Sequence, residues 1–127
     1  MRVGCGVDLI ETSRIEKAIN TNERFRADVF TGAEITYCEA KNAGRHESYA
    51  ARFAAKEAFL KALGIGLFAG ASLKEIEIVN DKMIGAPQIN MTGGAAEIYN
   101  QKGGVSISVS LSHSGGFAIA TVVVLFD

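Results

Sequence analysis

The segment RFAAKEAFLKALG at residues 52–64 decides the fold, because it predicts a long helix enclosed by the rest of the chain. Its Ala, Leu, Lys and Glu are strong helix formers, and Gly64 comes where a C-terminal cap is expected. At about 100° per residue, bulky apolar side chains fill one arc of the helix and alanines fill most of the remainder. A helix that is apolar or small nearly all round is typical of a buried position.

The same helix nevertheless carries four charged residues: Arg52, Lys56, Glu57 and Lys61. Glu57 precedes Lys61 by four positions, which is the favourable order for an ion pair on one helix face, and Arg52 and Lys56 repeat that spacing. One interpretation is therefore ordinary surface salt bridges, each worth about 0.5 kcal/mol. A carboxylate removed from water needs a partner, so a second interpretation assigns Glu57 to a metal ion or another cation.

The composition predicts one compact domain over residues 1–127, with 48% hydrophobic and 21% charged residues. A net charge of −1 and a pI near 6.1 exclude a basic nucleic-acid-binding protein. The sequence has no secretory signal pattern and no uninterrupted apolar run of about 18 residues, so no membrane span is expected. Cys5 and Cys38 lie outside any Cys/His cluster, which predicts reduced core thiols in a cytoplasmic protein.

Hydrophobic periodicity and turn signals predict an α+β fold, because strands and helices occur without steady βαβ alternation. Helices are predicted over residues 12–20, 31–42, 46–63 and 93–103. Strands are predicted over residues 3–10, 73–81 and 86–91, with two more at the C-terminus joined through residues 113–116. Thr31 and Glu34 have the spacing of a capping box, and residues 64–72 form a Gly-rich loop.

Asp8 is the second carboxylate that the sequence singles out. It stands at the end of the first predicted strand, followed by Leu9 and Ile10. It could cap the entrance of the next helix, or it could serve as a ligand where the strand ends. Two carboxylates from different elements, completed by phosphate and water, are a usual way of holding Mg²⁺. Asp8 and Glu57 are therefore a candidate pair.

The stretch SLSHSGG at residues 110–116 brings together hydroxyls, an imidazole and two glycines. A serine hydrolase is disfavoured because G-x-S-x-G is absent, and because Ser beside His in sequence does not make a nucleophile and base in space. A turn that meets an anion with hydroxyls, imidazole and backbone amides is the functional interpretation. The plain alternative is a solvated turn at a strand end.

Basic residues near the N-terminus include Arg14 and Arg24. Glu16 and Glu23 offset them, so a solvated surface of mixed charge is one interpretation. The other is a docking patch for an acidic partner.

Taken together, four segments in this order resemble the holo-[acyl-carrier-protein] synthase family, the short AcpS-type 4′-phosphopantetheinyl transferases. They are GVDLIETSRI at 6–15, FTGAEITYC at 30–38, RFAAKEAFLKALGIG at 52–66 and SLSHSGGFAIATVVV at 110–124. The resemblance implies an α+β fold with an antiparallel sheet packed on a long central helix. It also implies a homotrimer with active sites between subunits. Departures are small: GIG stands at 64–66 where the family often has GTG, and Ala86 precedes Pro87 where Lys or Arg is common.

The activity that the resemblance implies is transfer of 4′-phosphopantetheine from coenzyme A to a serine of an acyl carrier protein. The reaction would depend on Mg²⁺, release adenosine 3′,5′-bisphosphate and serve fatty acid biosynthesis. By the same resemblance, Asp8 and Glu57 hold the Mg²⁺, and Glu57 is the general base, directly or through a bound water. Lys61 would meet the charge on the phosphates during catalysis.

The remaining site residues also follow from the resemblance. Arg14 and Arg24 would meet the acidic carrier protein. Coenzyme A would contact Arg52, Lys61, Gly64, Ser112 and His113. Two non-catalytic alternatives stand beside the transferase: a module that only binds phosphate ligands or the carrier protein, and a structural oligomer whose buried charges fix its register.

Overall fold

The helix predicted from residues 52–64 is α4, Arg45–Leu63, and it is the centre of the fold. A computed structural model describes residues 1–66 and 70–127; the middle of the predicted Gly-rich loop lies outside the described residues. Most of the 19 residues of α4 are buried, as the small and apolar side chains around its circumference predict. It ends at Gly64, whose φ of 76° is a left-handed conformation that glycine adopts without strain.

The elements around α4 confirm the predicted α+β class. The strands are β1 (Arg2–Glu11), β2 (Ile76–Asn80), β3 (Pro87–Met91), β4 (Gly104–Ser114) and β5 (Phe117–Phe126). The other helices are α1 (Thr12–Thr21), α2 (Glu23–Val29), α3 (Gly32–Glu39) and α5 (Gly93–Gln101). Short 3₁₀ turns occupy Asn42–Gly44 and Leu73–Glu75.

The strands form two antiparallel sheets, one with the order β1-β5-β4 and one that pairs β2 with β3. Alternate residues of β5 point toward α4 and are buried, since side chains alternate across a strand. These inward residues are Ala118, Ala120, Val122, Val124 and Phe126. The predicted packing of an antiparallel sheet on a long central helix is confirmed.

Two glycines bring β1 unusually close to α4. A Cβ atom on Gly4 would overlap the carbonyl oxygen of Ala62, and one on Gly6 would overlap that of Ala58. Any side chain at these positions would therefore separate the strand from the helix. Asp8 follows on the same face of β1, because every second residue points the same way. The close approach thus delivers Asp8 to the surface of α4.

Local predictions differ from the structure at several places. His113 and Ser114 belong to β4, so the tight turn is Gly115–Gly116 rather than residues 113–116. The predicted strand over 73–81 begins with a 3₁₀ turn before β2. Helix α2 was not predicted, because its seven residues are too few to give a clear periodic pattern.

The capping box of Thr31 and Glu34 is confirmed at the start of α3. Cys38 is a buried thiol as predicted, but Cys5 is exposed on β1, so its assignment to the core is wrong. Cys5 points away from α4 because it alternates with Gly4 and Gly6. Across residues 1–66 and 70–127, no helix is both long enough and apolar enough to cross a bilayer.

Candidate active site

The side chains predicted to act together, Asp8, Glu57 and Lys61, lie where β1 packs on α4. Lys61, on the last turn of α4, donates hydrogen bonds to Asp8 Oδ1 at 3.1 Å and to the carbonyl oxygen of Val7 at 3.0 Å. Lys61 therefore pairs across to the strand rather than with Glu57 along the helix surface. The Asp8 side chain is only 19% exposed, so its charge is partly removed from water.

Glu57 is half-buried on α4, one turn before Lys61. Its pKa is raised above the usual carboxyl value by burial and then by the negative charge of Asp8, while Lys61 opposes the shift. A carboxylate with a raised pKa is a better proton acceptor at neutral pH than an ordinary one. In the metal-free protein, burial and the charge of Asp8 therefore make the Glu57 carboxylate more basic than an exposed one.

The same pair offers oxygen ligands of the type that a magnesium ion prefers. Oxygen ligands suit Mg²⁺, which is usually held by one or two carboxylates and completed by substrate phosphates and water. Within the described parts of the chain, no group of three or more His, Cys, Asp or Glu side chains could hold a metal. Asp8 and Glu57 thus offer a site of two carboxylates, which a phosphate ligand would have to complete. A cation between them would also relieve the mutual repulsion that raises the pKa of Glu57.

A pocket of about 270 Å³ opens beside Arg52, near the start of α4. Arg52 is buried, at 3% exposure, and donates from Nη2 to Asn80 Oδ1 at 2.6 Å. Its guanidinium carbon lies 4.0 Å from the ring centroid of Tyr37, and its Nε is buried with no hydrogen-bond partner among the described residues. The guanidinium is therefore held on two sides, while no carboxylate in the described part of the chain forms a salt bridge with it.

Ser112 and His113 line the same pocket from β4, together with Lys41. His113 Nδ1 lies 3.6 Å from Glu47 Oε2 on the first turn of α4. Side chains of two cationic residues, an imidazole and a hydroxyl around one pocket suit a phosphate anion. The structure thus brings Arg52, Ser112 and His113 together.

The other residues assigned to coenzyme A lie elsewhere on the single chain. Gly64 follows Arg52 by twelve residues, which corresponds to about 18 Å along a helix. Lys61 lies near this same end of α4, beside Asp8. The five predicted contacts therefore form two groups, with Glu57 between them along the helix.

Arg14 and Arg24 are both exposed, on α1 and α2 respectively. Their neighbour Arg26 is engaged with Glu39 at 3.1 Å. The N-terminal helices thus carry exposed cations. Both side chains are therefore accessible to a partner, as the docking interpretation requires.

Sequence reasoning missed two residues that organise the site. Asn80 is the partner of Arg52, and Glu34 is the partner of Lys56, at 2.8 Å with both side chains fully buried. The interpretation of the α4 charges as surface salt bridges is therefore wrong for Arg52 and Lys56. The capping-box spacing identified Glu34 in the sequence, but nothing local indicated that its carboxylate also meets a lysine 22 positions away.

Comparison with known proteins identifies the family of the chain. Residues 4–122 match the model of the 4′-phosphopantetheinyl transferase superfamily. The holo-[acyl-carrier-protein] synthase of Ruminiclostridium cellulolyticum is 47% identical over 125 residues, covering 98% of this chain and 92% of the relative. The chain belongs to the holo-[acyl-carrier-protein] synthase family.

Solved structures of the family share the fold. The Chronobacterium ammoniagenes ACPS–CoA complex superposes with a TM-score of 0.86 at 26% identity, covering 100% of this chain and 99% of that one. The Helicobacter pylori holo-[acyl-carrier-protein] synthase in complex with coenzyme A gives 0.81 at 34% identity, covering 95% and 99%. The family recognised from four sequence motifs is confirmed. Membership in it also confirms the predicted class of enzyme, a phosphopantetheinyl transferase.

Proposed function

We propose that this protein transfers 4′-phosphopantetheine from coenzyme A to a serine of an apo-acyl carrier protein. The observation that carries the proposal is the convergence of Asp8, Glu57 and Lys61 where β1 meets α4, on the same helix as the Arg52 pocket. The names of the relatives and the coenzyme A complexes among the structural neighbours support it. Holo-carrier protein made in this way would serve fatty acid biosynthesis, and the predicted cytoplasmic location stays a prediction.

Glu57 accepts the proton of the carrier serine hydroxyl as that oxygen attacks the β-phosphorus of coenzyme A. A bond forms between the serine oxygen and the β-phosphorus, and the bond from that phosphorus to the bridging oxygen breaks. Adenosine 3′,5′-bisphosphate leaves. Lys61 lies beside Asp8 and supplies a positive charge for the pyrophosphate. Positioning and electrostatics account for most of the catalysis in such a transfer.

Asp8 and Glu57 are the residues that would hold Mg²⁺. When bound, the ion would neutralise charge on the phosphate oxygens. The half-buried position of both side chains supports this assignment, because each carboxylate gains more from a cation there than it would in open water. Removal of the divalent ion should therefore abolish transfer.

For coenzyme A, we assign the nucleotide end to the pocket of Arg52, Ser112 and His113, with the 3′-phosphate as the anion that these side chains meet. Lys61 and Gly64 would contact the substrate from the other end of α4. A single chain holds these groups about 18 Å apart along the helix. Sites shared between subunits would let one coenzyme A reach residues of both kinds.

A homotrimer is the assembly proposed for these sites. The face of the β1-β5-β4 sheet turned away from α4 carries large apolar side chains that are exposed in the single chain. They are Val3, Val7, Leu9, Phe117, Ile119 and Val123. A contiguous apolar sheet face of this kind commonly marks a protein interface, because covering it with another surface lowers the free energy.

Arg14 and Arg24 would remain available for the acidic carrier protein.

The decisive experiment is intact-mass spectrometry of an apo-acyl carrier protein incubated with this protein, coenzyme A and Mg²⁺. We expect the carrier to gain the mass of one phosphopantetheine, and the gain to disappear with EDTA. A carrier serine replaced by alanine is the matched control and should gain nothing. No gain on a carrier that another synthase does modify would overturn the proposal and favour a binding module.

A further inference from the structure

Of the four charged residues in the segment 52–64, Lys56 is the one that the proposed chemistry does not use. Its ammonium is fully buried and donates to Glu34 Oε1 at 2.8 Å, to the carbonyl oxygen of Leu73 at 3.0 Å and to that of Ile76 at 2.6 Å. A lysine has three donors, so all of them are satisfied. Glu34 Oε2 in turn accepts the amide of Ile78 at 2.8 Å. The pair thus joins α4, the start of α3 and both sides of the entry into β2.

Stability alone does not explain why this position carries an ion pair. Removing two charges from water costs several kcal/mol per ion, and an apolar pair of similar volume is often as stable or more stable. Burial indeed lowers the pKa of Lys56, although Glu34 opposes the shift. An apolar pair, however, makes no directional hydrogen bonds. Hydrogen bonds to acceptors on separate segments fix where those segments lie relative to the helix.

The segment fixed in this way leads directly to the nucleotide pocket. Lys56 holds the first residue of β2, and the last residue of that strand is Asn80, which accepts the Arg52 hydrogen bond. Arg52 lies one turn before Lys56 on α4. Both ends of β2 are therefore tied to the same helix. Neither Lys56 nor Glu34 lines the pocket itself.

We propose that the Lys56–Glu34 pair is a positioning unit, which fixes β2 against α4 and thereby holds the Arg52 guanidinium, through Asn80, in the geometry that receives the nucleotide phosphate. The assignment of coenzyme A to this pocket rests on the proposed function. The effect of the pair on the position of Arg52 is independent of that function and can be measured without substrate. Loss of the pair should weaken binding of coenzyme A while leaving the step catalysed by Glu57 almost unchanged.

The test compares the wild type with the double variant Glu34→Gln/Lys56→Met, which removes both charges and leaves no unpaired ion in the core. We expect the KM for coenzyme A and the Kd for adenosine 3′,5′-bisphosphate to rise about tenfold, with kcat near that of the wild type. Val124→Ala, a fully buried position on β5, is the control for general loss of stability and should keep wild-type KM. Equal KM and Kd in the double variant and the wild type would overturn the inference.

A second measurement needs no ligand. In the wild type, the bond to Asn80 should slow the rotation of the Arg52 guanidinium, which NMR of the ¹⁵N-labelled side chain detects; Arg52→Lys identifies the signal. In Glu34→Gln/Lys56→Met this rotation should become fast. Slow rotation in the folded double variant would contradict the positioning role. If wild-type protein neither binds coenzyme A nor modifies the carrier, the proposed function fails, and the rotation still decides this inference.

Discussion

The proposed site contains charged side chains whose neighbours neutralise them only in part. The repulsion between Asp8 and Glu57 raises the pKa of Glu57, after the larger effect of burial. Such an arrangement is unfavourable in the free protein and becomes favourable when a cation binds. Similarly, Arg52 is buried beside an amide oxygen and an aromatic ring rather than a carboxylate. Both features describe a site prepared for a charged ligand.

Replacing Glu57 by Gln removes the proposed proton acceptor while preserving shape. We expect kcat to fall by about 10²- to 10⁴-fold, the range typical for loss of a general base. The carrier-modification rate measured by mass spectrometry checks this, with circular dichroism to verify the fold. Glu97→Gln on α5, an exposed position, is the matched control. Near-normal turnover in Glu57→Gln would remove the residue from its assigned role.

Arg14→Ala removes one cation from the proposed docking patch. We expect the KM for the carrier protein to rise about fivefold, as the loss of roughly 1 kcal/mol from an exposed ion pair would produce. The KM for coenzyme A should not change. The effect should shrink at high salt, which screens exposed charges. Lys82→Ala, an exposed cation on the turn between β2 and β3, serves as the control. A carrier KM equal to that of the control would refute docking through Arg14.

At the scale of elements, β1 and α4 approach each other more closely than residues with side chains would permit. Glycine at positions 4 and 6 lets the backbone of β1 rest on the carbonyl groups of α4. That contact sets the separation between Asp8 on the strand and Glu57 and Lys61 on the helix. The geometry of the site is therefore a consequence of packing between two elements.

Gly6→Ala tests this packing. Its Cβ would overlap the Ala58 carbonyl oxygen and lie 2.8 Å from the Ala62 amide nitrogen, so the strand must move. Overpacking of this kind costs about 1–3 kcal/mol of unfolding free energy, measured by urea denaturation. Gly32→Ala is the control, because nothing lies within 4 Å of its Cβ and alanine favours the helix. Equal stability of the two variants would show that β1 does not depend on the close approach.

The link between α3 and α4 predicts a pH dependence of stability. Tyr49 donates to Glu39 Oε2 at 2.6 Å, and this hydrogen bond is the main cause that lowers the pKa of Glu39, with help from Arg26. A carboxyl with a lowered folded-state pKa stabilises the protein above its unfolded-state pKa, and the contribution is lost as the pH falls through the folded-state value.

Tyr49→Phe should therefore lower the unfolding free energy at neutral pH by about 1 kcal/mol, since Glu39 is partly exposed. The difference from wild type should narrow as the pH falls to about 3, where the carboxylate is protonated in both proteins. Urea denaturation across that range measures it. Tyr99→Phe is the matched control, because burial alone raises the pKa of Tyr99. A difference that stays constant with pH would contradict this account.

The whole molecule presents an apolar sheet face that a single chain leaves exposed. Val123 lies in the middle strand of the sheet, between Cys5 and Ser108, and is 37% exposed. If the proposed trimer forms through this face, association determines whether the two groups of coenzyme A residues can act on one molecule. Oligomerisation and activity should then be lost together.

Val123→Glu places a carboxylate on that face. We expect it to convert a trimer into monomers, because burying an unpaired charge in an interface costs several kcal/mol. Sedimentation velocity measures the change, and transfer activity should fall in parallel. Met83→Glu introduces the same charge at a side chain that is 94% exposed on the turn between β2 and β3, and it should remain trimeric. A trimeric Val123→Glu protein would exclude the β1-β5-β4 face as the interface.

The sequence by itself determined the elements whose signal is local. The alanine-rich segment predicted an enclosed α4 ending at Gly64, and alternation predicted the C-terminal strands. The four motifs in order identified the family, and family membership is confirmed. Short elements such as α2 were not predicted, because a few residues give too weak a periodic pattern.

Only the tertiary structure decided which partner each charge on α4 would meet. Arg52 pairs with a residue 28 positions away, Lys56 with one 22 away and Lys61 with one 53 away. Helical periodicity specifies the face on which a side chain lies, but not the segment that will pack against that face. The partner of each charged side chain is set by the packing of elements that are distant in sequence. That is why an enclosed helix could keep Arg52, Lys56 and Lys61, and why their partners became visible only once the chain was folded.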